Sequence, residues 1–241
     1  MIDVHSHIVF GVDDGSKTID QSIEIIKEAY RAGFSKIIAT PHYLEDYYEK
    51  NKAEIAEKIS EIRQRLNEEN CPVQILQGNE IYVTENINEL IDDKKASTMA
   101  DSQYVLFELP LNAEVMNLNQ IIYQILEEDR IPILAHPERY PFVQKNPKIL
   151  QSLIEDGVLI QCNYGSIIGQ YGSTAKKTLK KLLKYNMVHL FGTDVHRPHT
   201  ILLSMDEVNK KLEKIIGVEK LEELTKINPQ KIIDNEIIDI D

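Results

Sequence analysis

Short apolar runs alternate with longer amphipathic stretches along the chain, which is the pattern of βα units around a parallel sheet or barrel. No repeat or low-complexity segment interrupts this alternation. The runs have the length of single strands. Seven of them are predicted to be strands, at residues 1–5, 36–40, 73–78, 104–109, 131–136, 158–163 and 187–194.

The stretches between the strands have helical periodicity. A helix is predicted at 19–32, where Gly33 supplies the stop and an apolar stripe recurs every three to four residues, formed by Ile19, Ile23, Ile26 and Tyr30. A longer, charged helix is predicted at 46–68, with a stripe formed by Ile55, Ile59, Ile62 and Leu66. Further helices are predicted at 114–129, 147–155, 174–185 and 203–226. Short loops favour a parallel barrel, although periodicity alone does not separate a barrel from an open sheet.

Length and composition indicate one globular domain. The chain has 241 residues, of which 42% are hydrophobic, and this is enough for a full core. No run reaches the roughly 18 apolar residues that cross a bilayer, and the chain opens without a basic and apolar leader. A cytoplasmic protein without membrane insertion is therefore expected.

Cysteine content and charge argue against several functions. Cys71 and Cys162 are too few for a disulfide framework and show no CxxC spacing, so we expect packing residues in a reducing compartment. A thiol-based tyrosine phosphatase needs an arginine six positions after its cysteine, where this chain has Gln77 and Ile168. The net charge of −12 argues against a nucleic-acid surface. It suits a phosphate substrate only if bound cations reverse the local charge.

Side chains that can bind metal or phosphate stand at the ends of nearly all the predicted strands. A single histidine is more often structural, but five of the seven histidines lie at strand ends, so the structural explanation would have to hold many times over. Because side chains alternate along a strand, His5 and His7 lie on one side and can bind one ion. Asp194 and His196 repeat this spacing. The candidate ligands are His5, His7, Asp14, His42, Glu80, Glu108, His136, Asp194 and His196.

These candidates indicate a centre with more than one metal ion. Imidazole combined with carboxylate oxygen suits manganese, iron or zinc better than magnesium or calcium. No cysteine accompanies them, which disfavours a structural zinc site. Nine ligands exceed what one ion uses, so two or three ions are predicted. In a two-metal phosphoesterase a carboxylate bridges ions about 3.5–4 Å apart, and we expect Glu80 to be that bridge.

Six segments of the chain match a known family in order: HSHIVFGVDDGS, ATPHY, GNEIYV, FELP, AHPERYP and GTDVHRP. They resemble the PHP superfamily of polymerase and histidinol phosphatases, and most closely its capsule-biosynthesis branch, the manganese-dependent protein-tyrosine phosphatases of the CpsB/CapC family. The resemblance runs from residue 2 to about 200, which leaves a helical remainder at 201–241. One departure is Phe10, which replaces a proline usual in this branch and affects only loop stiffness.

The resemblance implies an α/β fold, a single domain over 1–241 that forms a distorted seven-stranded barrel, and a centre of three ions. The metal would be manganese, with iron, zinc or magnesium as alternatives. The expected substrate is phosphotyrosine, notably on the tail of the bacterial tyrosine kinase that regulates exopolysaccharide assembly. By resemblance, the first ion is held by His5, His7, Glu80 and Asp194, the second by Glu80, Glu108 and His136, and the third by Asp14, His42 and His196.

The expected reaction is direct hydrolysis by a metal-activated hydroxide, without a covalent enzyme intermediate. Arg139 and Arg197 stand beside ligand motifs and are predicted to clamp the phosphoryl oxygens, with surface salt bridges as the alternative. Glu80 is predicted to be catalytic as the bridge. A phenol leaves easily and places little demand on a general acid, for which His199 is a candidate. Three tyrosines either line a phosphotyrosine entrance or pack on a helix surface: Tyr43, Tyr47 and Tyr48.

Three other functions are compatible with a similar set of ligands. A small-molecule phosphatase, such as one acting on histidinol phosphate, would use nearly the same residues. A nuclease or proofreading module would use the same metals on a phosphodiester, although the acidic chain argues against it. A catalytically dead binding module would be expected to lose ligands, whereas all nine positions carry coordinating side chains.

Overall fold

The computed structural model describes residues 1–113 and 115–240. Its described strands are all parallel to their neighbours and form a three-stranded sheet in the order β1-β2-β4 and a curled six-stranded sheet in the order β3-β5-β6-β7-β8-β9. The strands are β1 (Ile2–Asp3), β2 (Lys36–Ala39), β3 (His42–Tyr43), β4 (Gln74–Gln77), β5 (Glu80–Tyr82), β6 (Tyr104–Glu108), β7 (Ile131–Ala135), β8 (Leu159–Asn163) and β9 (Leu190–Gly192).

The two sheets are joined at both edges, by a backbone bridge at one and by the continuous chain at the other. A parallel bridge between Ser6 and Val195 connects the segments that follow β1 and β9. At the other edge the chain passes from β2 to β3 and from β4 to β5 with only two intervening residues each time. Pro41, which lacks an N–H group, interrupts the first of these segments. Each of the seven predicted runs contains a strand, but the count of seven strands is not confirmed because the described residues form nine.

Helices surround the sheets. They are α1 (Ile19–Arg31), α2 (Lys52–Glu68), α3 (Ile87–Asp92), α4 (Leu118–Glu127), α5 (Pro141–Lys145), α6 (Leu150–Glu155), α7 (Tyr164–Ile168), α8 (Gly172–Lys184), α9 (Met205–Glu222) and α10 (Asn228–Asp234). Short 3-10 helices span Met99–Asp101, Pro137–Arg139, Pro147–Ile149 and Ile201–Ser204. A π-helical turn at Glu223–Ile227 joins α9 to α10.

Several helix boundaries differ from the predictions. Helix α2 begins at residue 52 rather than 46, because Asn51 and Glu54 form a reciprocal capping box there. The helix predicted at 114–129 is observed as α4, and Glu114 lies outside the described residues. The remainder predicted to be helical over 201–241 is helical only to residue 234, while residues 235–240 are not, and α9 is kinked at Gly217.

The predicted apolar stripes are largely buried. All four stripe residues of α2 are buried, whereas Tyr30 of α1 is 51% exposed and was wrongly placed on the buried face. Cys71 and Cys162 are buried and unpaired, as expected of packing residues. No helix within the described ranges is long and apolar enough to cross a membrane.

Two apolar clusters divide the core. The larger one lies between the sheets and the helices. The smaller one is built from residues of β2 and β6 to β9, together with Val4 after β1 and Met99 of a 3-10 helix, and Ile232 and Ile238 pack against it. Because successive side chains of a strand point to opposite faces, the residues of this inner cluster occupy the inside of the curled sheet. On β8, Leu159 belongs to it, and the next two residues on that face are Gln161 and Asn163.

Candidate metal centre

The nine predicted ligands come together near the carboxyl ends of β1, β2, β4, β6, β7 and β9. His5 and His7 follow β1, His42 begins β3, and Glu80 begins β5. The remaining members lie at the end of β6, after β7, after β9 and in the first loop, namely Glu108, His136, Asp194, His196 and Asp14. Strands that are parallel end on one side of the sheet, which is why residues far apart in the chain meet here.

Glu80 lies at the middle of this cluster and is completely buried. Its Oε2 atom is 3.1 Å from Nε2 of His5, 3.3 Å from Nε2 of His7 and 3.1 Å from Nδ1 of His42. Its Oε1 atom is 2.8 Å from Nε2 of His136. Burial opposes the carboxylate charge, but the surrounding imidazoles outweigh it and hold the pKa of Glu80 well below its usual range.

Asp194 and Asp14 extend the cluster on one side. Oδ1 of Asp194 lies 3.7 Å from Nε2 of His5 and 3.4 Å from Nε2 of His7. Oδ1 of Asp14 lies 3.3 Å from Nε2 of His196 and 3.6 Å from Nε2 of His42. The hydrogen bond with His196 is the main reason that the pKa of Asp14 is lowered.

On the other side, Glu108 stands between two histidines. Its Oε1 atom is 3.0 Å from Nδ1 of His42, and its Oε2 atom is 3.9 Å from Nε2 of His136. Ligand atoms within 4.8 Å of one another form three groups: His5, His7 and Glu80; His42, Glu80 and Glu108; and His7, Asp14, His42 and His196. These groups overlap with the three predicted ligand sets but differ from them. Asp194 and His136 belong to none of the three groups, His42 also stands beside Glu80 and Glu108, and His7 also stands beside Asp14 and His196.

The donor set fits a group of divalent ions. Two buried atoms of the cluster, Oε2 of Glu80 and Nδ1 of His136, have no hydrogen-bond partner among residues 1–113 and 115–240. A buried polar atom without a partner is costly unless another group satisfies it. Carboxylate oxygens and imidazole nitrogens packed this closely repel one another when all are deprotonated, and cations between them would remove that repulsion.

Residues that were not predicted from the sequence contact the ligands and hold the cluster in place. Nδ1 of His7 is 2.7 Å from Oδ2 of Asp13, and this carboxylate also accepts from the backbone N–H groups of Gly15 and His42. Such carboxylate–histidine pairs are common around bound metals. The sequence feature that could have indicated Asp13 is its position as a second aspartate beside Asp14. Two further residues beside the cluster, Gln161 and Asn163, could have been recognised as a pair of polar residues within an otherwise apolar strand.

The two predicted arginines differ in their surroundings. Nη1 of Arg139 donates to Oδ2 of Asp194 at 2.9 Å, and the guanidinium lies over the ring of Tyr171, 4.6 Å from its centroid. Nη1 of Arg197 instead donates to the backbone carbonyl oxygens of Asp14, Gly15 and His196 at 2.6–2.7 Å. Arg139 therefore contacts a ligand side chain, whereas Arg197 joins two ligand-bearing loops.

Other candidates are only partly brought to the centre. The ring of Tyr48 stacks on that of His42, with centroids 5.9 Å apart, whereas Tyr43 is buried and Tyr47 is 77% exposed. Both ring nitrogens of His199 face α1, with Nδ1 2.7 Å from Glu28 and Nε2 3.1 Å from Glu24. This geometry gives no support to His199 as the general acid.

Comparison with known proteins agrees with the resemblance drawn from the six segments. The family model described as "Capsular polysaccharide synthesis, CpsB/CapC" matches residues 1–234. Tyrosine-protein phosphatase YwqE of Bacillus subtilis is 32% identical over 99% of this chain and 93% of its own length. Tyrosine-protein phosphatase CpsB of Streptococcus pneumoniae is 32% identical over 99% of this chain and 100% of its own length.

Solved structures extend the comparison to the fold. A structure from work on YwqE of Bacillus subtilis and CpsB of Streptococcus pneumoniae, described as unique metal-dependent tyrosine phosphatases, has a TM-score of 0.94 at 31% identity and covers 100% of this chain and 97% of its own. Histidinol phosphate phosphatase of Lactococcus lactis has a TM-score of 0.57 at 18% identity, covers 89% of this chain and 93% of its own, and shares the fold alone. With a family model spanning nearly its full length and a superimposable structure, this chain belongs to the CpsB/CapC family.

Proposed function

We propose that this chain is a metal-dependent protein-tyrosine phosphatase that hydrolyses phosphotyrosine on a protein substrate. The observation that carries the proposal is the Glu80 carboxylate, which is completely buried and whose unpartnered Oε2 faces three imidazole nitrogens within 3.3 Å. Divalent cations among these atoms would satisfy Oε2 and offset the crowding of the carboxylate and imidazole groups. The names of the CpsB and YwqE relatives support the choice of substrate.

The nine clustered side chains would hold two or three ions, with manganese as the proposed metal and iron, zinc or magnesium as alternatives. Bound ions would supply the positive charge that activates a water nucleophile and neutralises the phosphate. The chain itself positions the ligands: Glu80 is shared between neighbouring groups, and Asp13 orients His7 through Nδ1. Substrate phosphate then enters a net acidic protein only where cations reverse its charge.

Arg139 is proposed to hold a phosphoryl oxygen. Within the described part of the chain only its Nη1 is hydrogen-bonded, and the side chain is 24% exposed, so guanidinium donors remain for a substrate oxygen. Guanidinium presents paired N–H groups that match phosphate geometry. Arg197 is proposed as a second clamp that also fixes the loop of Asp14 through backbone carbonyls. Tyr48, stacked beside His42, is proposed to contact the phenyl ring of the substrate.

The biological setting follows from the same family. We propose a cytoplasmic enzyme that acts on a bacterial tyrosine autokinase controlling capsule or exopolysaccharide synthesis, without nucleic-acid binding or membrane insertion. Residues 1–241 would act as one domain, a distorted barrel of seven strands in which β2 with β3, and β4 with β5, each count as one interrupted strand. The net charge of −12 supports the exclusion of nucleic acid.

Turnover at defined metal loading tests this proposal. Chelator-treated protein is reloaded with manganese and assayed with a phosphotyrosyl peptide, a phosphoseryl peptide and histidinol phosphate at equal concentrations. We expect phosphotyrosyl peptide hydrolysis that disappears on chelation and returns with the metal. Preference for histidinol phosphate would instead indicate a small-molecule phosphatase, and undiminished turnover after prolonged chelation would rule out the metal mechanism.

A matched pair of variants distinguishes the effect of a charge removed at the metal centre from that of a charge removed at an exposed position. Glu80→Gln removes the charge of the central carboxylate with little change in size, and Glu57→Gln makes the same change at an exposed position on α2. We expect Glu80→Gln to lower turnover by about 100-fold or more, because loss of even an outer hydrogen bond to a metal ligand costs up to about 100-fold, with Glu57→Gln unchanged. Equal activity of the two variants would contradict the central role of Glu80.

A further inference from the structure

Two amide side chains, Gln161 and Asn163, lie beside the ligand cluster and are completely buried. They occupy alternate positions on β8 and therefore share its inward face. Amide groups are unusual on the inside of a strand whose other inward residue, Leu159, is apolar. Their burial costs free energy unless their hydrogen-bonding groups find partners, so the identity of those partners indicates what the amides do.

The two amides form a continuous chain of hydrogen bonds between two predicted ligands. Nδ1 of His5 is 2.9 Å from Oε1 of Gln161. Nε2 of Gln161 donates to Oδ1 of Asn163 at 2.9 Å. Nδ2 of Asn163 donates to Oδ2 of Asp194 at 2.7 Å. Both ends of this chain, His5 and Asp194, belong to the same predicted metal ligand set.

The direction of every hydrogen bond in the chain follows from its Asp194 end. A carboxylate only accepts, so Asn163 must turn its NH2 group toward Asp194 and its oxygen toward Gln161. Gln161 must then present its own NH2 group to Asn163 and its oxygen to His5. An amide oxygen also only accepts, so Nδ1 of His5 must carry the proton. The other ring nitrogen of His5, Nε2, lies 3.1 Å from Oε2 of Glu80 and, in the neutral ring, carries the lone pair that a metal ion would bind.

The same arrangement divides the two oxygens of Asp194 between different tasks. Oδ2 is surrounded by three donors: Nδ2 of Asn163 at 2.7 Å, Nη1 of Arg139 at 2.9 Å and the hydroxyl of Tyr171 at 3.2 Å. Oδ1 instead faces the Nε2 atoms of His5 and His7. One oxygen is therefore used to hold the side chain, and the other is directed at the cluster.

The backbone of β9 packs closely against the side chains that form these hydrogen bonds. Gly192 of β9 lies directly against it, and a Cβ atom there would be 2.4 Å from Cβ of His5 and 3.0 Å from Nε2 of Gln161. Real Cβ atoms do not approach so closely, so the strand can come this near only with glycine at position 192. The absence of a side chain at Gly192 therefore lets β9 pack directly against both His5 and Gln161.

We propose that Gln161 and Asn163 are positioning residues which couple the carboxylate of Asp194 to the Nδ1–H tautomer of His5, so that both side chains are presented to one divalent ion. This inference rests on the proposed metal-dependent function. The amides touch neither substrate nor metal in this proposal. They act by fixing which nitrogen of His5 and which oxygen of Asp194 point toward the ion, as outer hydrogen bonds do at other metal sites.

Manganese binding measured without substrate tests the coupling. Gln161→Met and Asn163→Leu keep side-chain volume and remove the amides, and Gln74→Met is the matched control on the exposed face of β4. Titration calorimetry of chelator-treated protein should show the tightest manganese dissociation constant rising by about 10- to 100-fold in both amide variants. The control should bind as the unaltered protein does. Unchanged affinity in both amide variants would overturn the proposal, even if their melting temperatures fall.

Nuclear magnetic resonance of the zinc-loaded protein gives an independent reading. The unaltered protein should show a slowly exchanging proton on Nδ1 of His5, because that proton is buried and hydrogen-bonded. In Asn163→Leu this proton should exchange faster, although residue 163 does not contact His5, because Gln161 loses the partner that orients it. A purely structural role for Asn163 would leave the exchange rate unchanged and would contradict the coupling.

These measurements remain decisive if a variant does not fold or if the proposed function fails. The His5 proton is observed in the unaltered protein, and its absence there, or a proton on Nε2 instead, overturns the proposal without any variant. Failure of the phosphatase proposal would appear as metal binding without phosphotyrosine turnover. Failure of the coupling would appear as turnover and manganese affinity that are unchanged in Gln161→Met and Asn163→Leu.

Discussion

Removal of the metal ions should leave a protein whose stability falls as the pH rises from about 6.5 to 10. The reason is His42, which takes the place of a missing cation among the carboxylates. Its Nδ1 atom lies 3.0 Å from Glu108 and 3.1 Å from Glu80. Burial disfavours the imidazolium, but these carboxylates outweigh it and raise the pKa of His42 from 6.5 to about 10.

The direction of this change in stability with pH follows from proton linkage. A group whose pKa is raised by folding contributes its full stabilisation below the pKa of the unfolded chain and loses it as the pH rises through the folded value. A tenfold change in proton affinity is worth about 1.4 kcal/mol, so a rise from 6.5 to about 10 sets an upper limit of about 5 kcal/mol. That pKa already includes the opposing positive charge of His7, so we expect a loss of at most about 5 kcal/mol.

The metal-loaded protein should behave in the opposite way. Histidine binds a metal only when it is neutral, so protons compete with the ions and the affinity for manganese increases with pH. Metal binding stabilises the folded state in proportion to the logarithm of the ligand concentration over its dissociation constant. The stabilisation given by manganese should therefore be larger at pH 9 than at about pH 6.5.

Urea unfolding of the chelator-treated protein at about pH 6.5, 8 and 9.5 measures the effect. His42→Gln keeps a polar side chain that cannot be protonated in this range, so its free energy of unfolding should depend less on pH. Two results would refute the reasoning: a stability of the metal-free protein that is constant or rises across this range, or an equal slope in His42→Gln and the unaltered chain.

Three further predictions concern single side chains. His136→Ala removes the nitrogen 2.8 Å from Oε1 of Glu80, so metal content measured by mass spectrometry and turnover should both fall, the latter by about 100-fold; unchanged turnover would favour a catalytically dead binding module. Arg139→Lys keeps the charge but not the planar fork, so kcat/KM for a phosphotyrosyl peptide should fall by about 10- to 100-fold, and an unaltered kcat/KM would exclude the clamp. Gly192→Ala places a methyl group 2.4 Å from Cβ of His5 and should lower the free energy of unfolding by about 1–3 kcal/mol in urea; a neutral effect would contradict the close strand approach.

Local patterns in the chain were sufficient for much of the fold. Strands lie within all seven predicted runs, because apolar runs of that length are buried on both faces wherever parallel strands are covered by helices. The stripe of α2 is buried as predicted, since a spacing of three to four residues places those side chains on one face. The start of α2 was misplaced because a capping box outweighs the helical pattern of the preceding residues.

Other features depend on contacts between distant parts of the chain. Tyr30 has the spacing of a buried residue but lies at the exposed edge of its helix. His199 stands three residues after His196, yet its backbone is in the left-handed region at φ 61° and its ring faces Glu24 and Glu28 of α1. Nothing in the spacing of the histidines distinguishes these two, because their directions depend on how the loop packs.

The residues that cluster at the strand ends could be named from the order of residue types along the chain, because parallel strands bring their carboxyl ends to one side of a sheet and place polar strand ends together. The role of each residue within the cluster could not be predicted from the sequence. That Glu80 lies in the middle, that Asp13 supports His7, and that two amides connect His5 to Asp194 all depend on distances of about 3 Å between segments separated by up to 156 residues. Hydrogen bonding requires such distances and directions, and only packing of the strands and loops brings these atoms within reach.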